Sequence, residues 1–195
     1  MQTQLSDRDV VDFYRSSHKE ALASGADKKF PNLSLVRLES RFLKGRPGDK
    51  LLDYGCGQGS NLSFLAERGY DIVGMDTSPY ALEMVAKKLR PQWQSRTRLL
   101  EVDPSAERLP FEDESFDHVV CASVLSLLCT PARIDALLKE FRRVLKDGGK
   151  LYIDINGPQS EFAIYAEKIG PESYIYRGRN GKAAPMQVVC PDTQE

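Results

Sequence analysis

Leu51-Leu52-Asp53-Tyr54-Gly55-Cys56-Gly57-Gln58-Gly59-Ser60-Asn61 is the stretch that decides the fold. An apolar pair runs into glycines at alternate positions, and a helix-compatible segment comes next. A buried parallel strand delivers the chain to a turn too tight for side chains, and a helix then begins with its free N–H groups turned toward a ligand. Asp76 lies 21 residues past Gly55, at the end of a second apolar run, Ile72-Val73-Gly74-Met75. A carboxylate at the tip of the neighbouring strand accepts hydrogen bonds from both hydroxyls of a ribose. Together these features point to a nucleoside derivative.

Outward from that turn the chain alternates strand and helix, which predicts a doubly wound, mainly parallel α/β sheet with helices on both faces. Strands are expected at about 50–54, 71–75, 97–102, 116–122 and 150–156, with Asp147-Gly148-Gly149 as the turn into the last. Helices are expected at about 59–68 and from Thr77-Ser78-Pro79 to about Leu89, where a hydroxyl cap precedes a proline whose missing N–H costs nothing. A long helix after Thr130-Pro131 carries Ile134, Leu137, Leu138, Phe141, Val144 and Leu145 at helical spacing. Ligands in such sheets sit beyond the carboxyl ends of the strands where the strand order reverses. His118, near the entry of the fourth strand and far from that crevice, is therefore read as structural.

The 195 residues are 41% hydrophobic, enough for one domain with a substantial core, and carry a net charge of −1. Neither a nucleic-acid partner nor an anionic membrane is expected of that balance. The basic cluster Lys87, Lys88, Arg90, Arg96 and Arg98 around Trp93 reads as a solvated helix end and an exposed loop. Met1-Gln2-Thr3-Gln4 begins no secretory signal, and the apolar run Val119 to Cys129 is too short for a bilayer span. Cys56, Cys121, Cys129 and Cys190 form no C-x-x-C pair and the two histidines add no ligand spacing, so no metal is expected. Reduced thiols in a cytoplasmic protein are the simplest account.

The spacing of the glycines narrows the ligand. A dinucleotide site needs G-x-G-x-x-G beside its pyrophosphate, whereas glycines at 55, 57 and 59 give G-x-G-x-G, preceded by Asp53. This pattern resembles motif I of the class I S-adenosylmethionine-dependent methyltransferases. Asp53 suits that cofactor, whose amino group is cationic, and would repel a pyrophosphate. Two further stretches resemble the family in order: Ala106-Glu107-Arg108-Leu109-Pro110-Phe111 with Asp113 to Asp117, and Arg142-Arg143-Val144-Leu145-Lys146-Asp147-Gly148-Gly149. The resemblance covers roughly residues 34–156 and implies a Rossmann-like fold, S-adenosyl-L-methionine as cofactor, and methyl transfer to a small or carrier-bound metabolite.

By that resemblance the cofactor-binding residues are Asp53, Gly55, Cys56, Gly57, Gly59, Asp76 and Thr77, with Cys121 and Ala122, beside Ser123, lining the pocket from the fourth strand. The family has an acid facing the adenine amino group just before Ala106, where this sequence has Ser105. Either Asp103, two places earlier, reaches the adenine, or Ser105 accepts the bond and Asp103 ends the strand. The Ala106 N–H, with Glu107 beside it, is expected at the adenine in both cases. Cys56 is read as a small side chain in a crowded turn, without nucleophilic character.

Residues 1–46 are read as an N-terminal helical cap and 47–195 as the cofactor-binding domain. Ser6 and Asp9 stand at capping-box spacing ahead of a helix to about Ala23 that sets Tyr14 and His18 at i and i+4. Tyr14 is expected to border the cofactor, as an N-terminal tyrosine does in the family. The catalytic residues are unknown, with His18 the candidate general base. A second helix near Asn32–Lys44 is expected to pack through Leu35, Leu38 and Phe42, and Phe30-Pro31-Asn32 faces substrate or anchors a turn.

After the fifth strand the pattern predicts a helix around Gln159–Lys168, a hairpin of Ser173–Arg177 with Gln187–Val189, and a helix start at Asp192. The family continues through one more helix and two strands, so its C-terminal strands are expected to be missing, leaving an exposed sheet edge. Three function classes remain: an active methyltransferase, a cofactor-binding regulator or inactive paralogue, and a nicotinamide-dependent oxidoreductase, which the glycine spacing disfavours. The methyl acceptor and the oligomeric state are not encoded in any motif.

Overall fold

The computed structural model describes residues 6–128, 130–157, 159–160, 164–168, 170, 173–176 and 186–189. Strands β1 (Lys50–Tyr54), β2 (Asp71–Asp76), β3 (Thr97–Glu101), β4 (Phe116–Cys121) and β5 (Leu145–Ile153) form one sheet in the order β3-β2-β1-β4-β5. All four pairings are parallel, with Leu52 beside Val73 on one side and Val119 on the other. The order reverses between β1 and β4, which opens a crevice at their carboxyl ends.

Successive strand residues face opposite sides, and both sides are apolar. Leu51, Ile72 and Val120 join one core cluster with Leu62 and Leu65 of α3 (Ser60–Glu67), Val85 of α4 (Pro79–Lys88) and Trp93 of α5 (Pro91–Gln94). Leu52, Met75 and Val119 join the other with Phe141 and Val144 of α6 (Pro131–Val144). The expected caps form: the Ser78 hydroxyl accepts from the Ala81 N–H at 3.3 Å, and the Thr130 hydroxyl from the Arg133 N–H at 3.4 Å. His118 is buried at the far end of the sheet, 3.3 Å from Asp49 and edge-on to Tyr70.

α1 (Asp7–Ser24) starts with the full Ser6–Asp9 capping box and lies against α4. The second predicted helix is split. α2 (Leu33–Leu38) gives way to a π-helical turn, Glu39–Leu43, closed by a Lys44 N–H to Glu39 carbonyl bond of 2.8 Å. Each extra residue in a turn rotates the side chains beyond it by about 100°. Leu43 is therefore buried in place of Phe42, which is 59% exposed, and Leu38 is 43% exposed. Glu39, buried in that turn, accepts the Tyr70 hydroxyl at 3.1 Å.

β5 begins at Leu145, earlier than expected, because Asp147-Gly148-Gly149 is an irregularity within the strand and Leu145 pairs with Phe116. Among the described residues β5 pairs with β4 alone and so forms one sheet edge. Beyond it, β6 (Ala166–Lys168), β7 (Ser173–Tyr176) and β8 (Met186–Val189) make a separate antiparallel sheet in the order β6-β7-β8. Within the expected 173–177 and 187–189 runs, Ser173–Tyr176 pairs with Met186–Val189, Arg177 lying outside the described residues, while Ala166–Lys168, expected as a helix end, is a strand. Pairing with the aromatic β7 overrides the helical preference of Ala, Glu and Lys. Asn180-Gly181, Cys129, Cys190 and the helix start at Asp192 lie outside the described residues. No helix among the described residues is long and apolar enough to cross a membrane.

Candidate functional site

The loop between β1 and α3 is bent by three left-handed glycines, with φ of 72° at Gly55, 51° at Gly57 and 80° at Gly59. Its first two N–H groups, of Gly55 and Cys56, donate to the Met75 carbonyl at 2.8 and 2.9 Å, which ties the turn to the end of β2. A Cβ on Gly55 would fall 2.3 Å from Val124 Cγ2, so close approach of the β4 loop is one reason for glycine there. A Cβ on Gly57 would meet nothing within 4 Å; only the left-handed backbone demands glycine at that point.

Above this loop lies a cleft of about 500 Å³, within the range of small-molecule sites. Gly55, Cys56, Gly57, Asp76, Thr77 and Ala122 line it, and α1 contributes Tyr14 and His18. Asp76, at the tip of β2, accepts the Gly57 N–H at 2.8 Å and the Ser78 N–H at 2.9 Å. Its carboxyl is pushed upward by burial, against which these N–H donors and His18 act. The His18 imidazole is pushed downward by burial, offset by the charge of Asp76, and its Nδ1 has no hydrogen-bond partner among the described residues. Burial, aided by Asp76, raises the Tyr14 phenol to about 12, so it stays a donor at neutral pH.

Other predicted residues stand outside the cleft wall. Asp53 is 1% exposed beneath the loop; burial and then the charge of Asp76 push its carboxyl up to about 7, and its Oδ2 has no partner among the described residues. Gly59 packs on Val85, and Cys121 is wholly buried in the core. Asp103, Ser105, Ala106 and Glu107 lie on an exposed loop whose contribution to the wall is Val102 and Pro104. There the Asp103 carboxylate accepts the Ser105 N–H at 2.8 Å and its hydroxyl at 2.6 Å. Burial first, then Asp53 and Asp76, push the Cys56 thiol well up, consistent with a packing residue.

Apart from Asn32, which belongs to the Phe30-Pro31-Asn32 run expected to face substrate or anchor a turn, several lining residues carried no sequence signal. Arg133, in the first turn of α6, donates to the Pro104 carbonyl. Lys28 and Asn32 come from the strap between α1 and α2, which is laced to the glycine turn: the Lys28 N–H donates to Gln58 Oε1 at 2.9 Å and the Ser60 hydroxyl to the Lys28 carbonyl at 2.6 Å. The Asn32 N–H donates to Asn61 Oδ1 at 2.8 Å. Leu127 joins Val124 and Leu128 as an apolar wall after β4, with Tyr174 of β7 packed behind it. Among the described residues no cluster of His, Cys, Asp and Glu suits a metal ion.

Known proteins share this fold. A family model described as a methyltransferase domain matches residues 52–153. An uncharacterized methyltransferase of Synechocystis is 35% identical over 145 residues, covering 74% of this chain and 62% of that protein. A demethylmenaquinone methyltransferase of Beutenbergia cavernae is 34% identical over 134 residues, covering 69% of this chain and 50% of that protein. The chain therefore spans roughly half to three-fifths of these relatives' lengths. In fold it is similar to a methyltransferase structure from Methanosarcina mazei, with a TM-score of 0.66 at 22% identity over 84% of this chain and 79% of that one. It is also similar to a Haemonchus contortus phosphoethanolamine N-methyltransferase solved with S-adenosyl-L-methionine, with a TM-score of 0.63 at 24% identity over 82% of this chain and 39% of that one.

Proposed function

Because this chain belongs to the methyltransferase-domain family of class I S-adenosylmethionine-dependent enzymes, we propose that it transfers a methyl group from S-adenosyl-L-methionine to a small or carrier-bound metabolite. The observation that carries the reading is Asp76, a nearly buried carboxylate at the tip of β2, facing the cleft beside a glycine turn. Two features favour this cofactor over a dinucleotide. The G-x-G-x-G spacing sets its third glycine at 59 and leaves Ser60 where a pyrophosphate site has glycine, and the buried Asp53 carries an oxygen, unpartnered among the described residues, that a cationic amino group suits.

The cofactor supplies a methyl on a positively charged sulfur, which makes an in-line displacement easy. What remains for the chain is positioning, worth up to roughly 7–11 kcal/mol in well-oriented systems. Asp76 and Thr77 take the ribose, Gly55, Cys56 and Gly57 the amino-acid part, with Gly59 shaping the turn and Asp53 supplying charge from beneath it, and Tyr14 borders the amino-acid part from the N-terminal cap. Cys121 and Ala122 back the pocket, and the Asp103-to-Glu107 loop takes the adenine through Asp103 or Ser105, the Ala106 N–H donating to the Asp103 carbonyl at 3.0 Å. His18 is the candidate base: burial keeps its imidazole neutral, and Nδ1 is left able to accept a proton. The second reading, a cofactor-binding regulator without turnover, is favoured by Ser105 in place of the family's acid.

Titration calorimetry with S-adenosylmethionine, S-adenosylhomocysteine and NAD tests the proposal. The first two are expected to bind and NAD not, and Asp76→Ala is expected to weaken both by about a hundredfold, the worth of two charge-assisted hydrogen bonds. Undiminished affinity in Asp76→Ala overturns it. Binding without turnover on a broad acceptor panel selects the regulator, and loss of turnover with intact binding in His18→Ala marks the base.

A further inference from the structure

Asp154 follows the carboxyl end of β5, three strands across the sheet from Asp76 and thus roughly 14 Å away at about 4.8 Å per strand. It lies beside the cleft, and two of its partners line it. One carboxylate oxygen accepts the Ser123 N–H; the other accepts Asn32 Nδ2 at 2.9 Å and the Tyr152 hydroxyl at 3.5 Å. Ser123 is held with φ of 62°, a left-handed conformation that costs a serine about 1–2 kcal/mol. Asn32 in turn spends its Oδ1 capping α2 through the Ser34 and Leu35 N–H groups, and its own N–H on Asn61. A single carboxylate thus joins the tip of β4, the N-terminal strap and, through Asn32, the first turn of α3.

Apolar packing does little to hold the strap. Phe30 is 78% exposed and Leu33, which opens α2, 70% exposed, so this junction is not stapled by apolar burial. The bonds that Lys28 of the strap makes to Gln58 and Ser60 lie on the surface, where water competes for them.

We infer that Asp154 is a positioning residue that clasps the strap across the cleft, setting Ser123 and Asn32 against whatever the cleft holds. This rests on the methyltransferase reading only for the identity of the bound molecule. The clasp has a polarity: Asn32 donates and Asp154 accepts. Asn32→Asp sets two carboxylates face to face, and Asp154→Asn sets amide donor against amide donor. Exchanging the two restores the bond between positions 32 and 154 with its polarity reversed, because an aspartate at position 32 still caps α2 and accepts from an asparagine at 154, whose Oδ1 still accepts the Ser123 N–H; only the long Tyr152 hydroxyl contact must turn from donor to acceptor.

The test is hydrogen–deuterium exchange of segment 27–33 in the free protein, with calorimetry of S-adenosylhomocysteine in parallel. Asp154→Ala and Asn32→Asp are each expected to speed exchange of the strap and to weaken binding, both by about tenfold, the lower end of a hydrogen bond to a charged group. The double variant Asn32→Asp with Asp154→Asn is expected to return both readouts to within about twofold of the parent. Parent-like strap protection in Asp154→Ala overturns the inference, as does a double variant no better than its single parents. If the parent protein itself binds no S-adenosylhomocysteine, the methyltransferase reading falls, while the exchange pattern still decides the clasp.

Discussion

Asp53→Asn removes a buried charge and leaves a side chain of the same shape. Asp53 is 1% exposed, one oxygen has no partner among the described residues, and its carboxyl is pushed up to about 7 by burial and by Asp76. In the unfolded chain the same group titrates near 3.8. The folded protein therefore holds a proton that the unfolded chain has released, and stability is lost as pH rises from the unfolded value through about 7. From about pH 5 to about pH 8 the loss is roughly two pH units at 1.36 kcal/mol each, or about 3 kcal/mol. That is a large part of the ~5–15 kcal/mol that holds a typical domain. The substituted amide does not titrate, so urea unfolding at the two pH values is expected to show the variant gaining about 3 kcal/mol on the parent between them. A bound cationic amino group is expected to shrink the gap, because it favours the ionised carboxylate. Parallel pH profiles for the two proteins would refute the argument that this carboxylate is buried without compensation.

Gly55→Ala is expected to destabilise by about 2–4 kcal/mol, combining a left-handed alanine with the 2.3 Å approach to Val124; adding Val124→Ala should recover the contact part and leave the backbone part, read from thermal melts. Arg143 is bonded to Glu140 at 2.6 and 2.8 Å, to Asp113 at 2.8 Å and to the carbonyls of Phe111 and Leu109 at 2.8 and 3.0 Å. Arg143→Ala should cost about 3 kcal/mol by chemical denaturation, and Arg143→Lys most of that, since an ammonium cannot reproduce the planar fork.

The parts of this protein legible in its sequence are those whose physics is local. Alternating glycines, a hydroxyl before a proline, apolar residues at period two or near 3.6, and the Ser6–Asp9 pair each act over a few residues, and each stands at its expected place. Asp76 is legible too, because a strand tip beside a glycine turn is a position that the chain order itself defines. The departures fall where a distant partner outweighs local preference. Buried Glu39 and Tyr70 accompany a π turn that exchanges Phe42 for Leu43, and β7 makes a strand of Ala166–Lys168.

Asn32 and Asp154 are 122 residues apart, and neither carries a pattern that anticipates the other. The sequence by itself determined the parallel sheet, its glycine turn and the carboxylate beside it. Only the tertiary structure decided that His18 is buried in the cleft with Asp76, that Asp53 lies beneath the turn, and that a strap is tied across the cleft. Those placements come from packing summed over the whole chain, which no short window of residues contains.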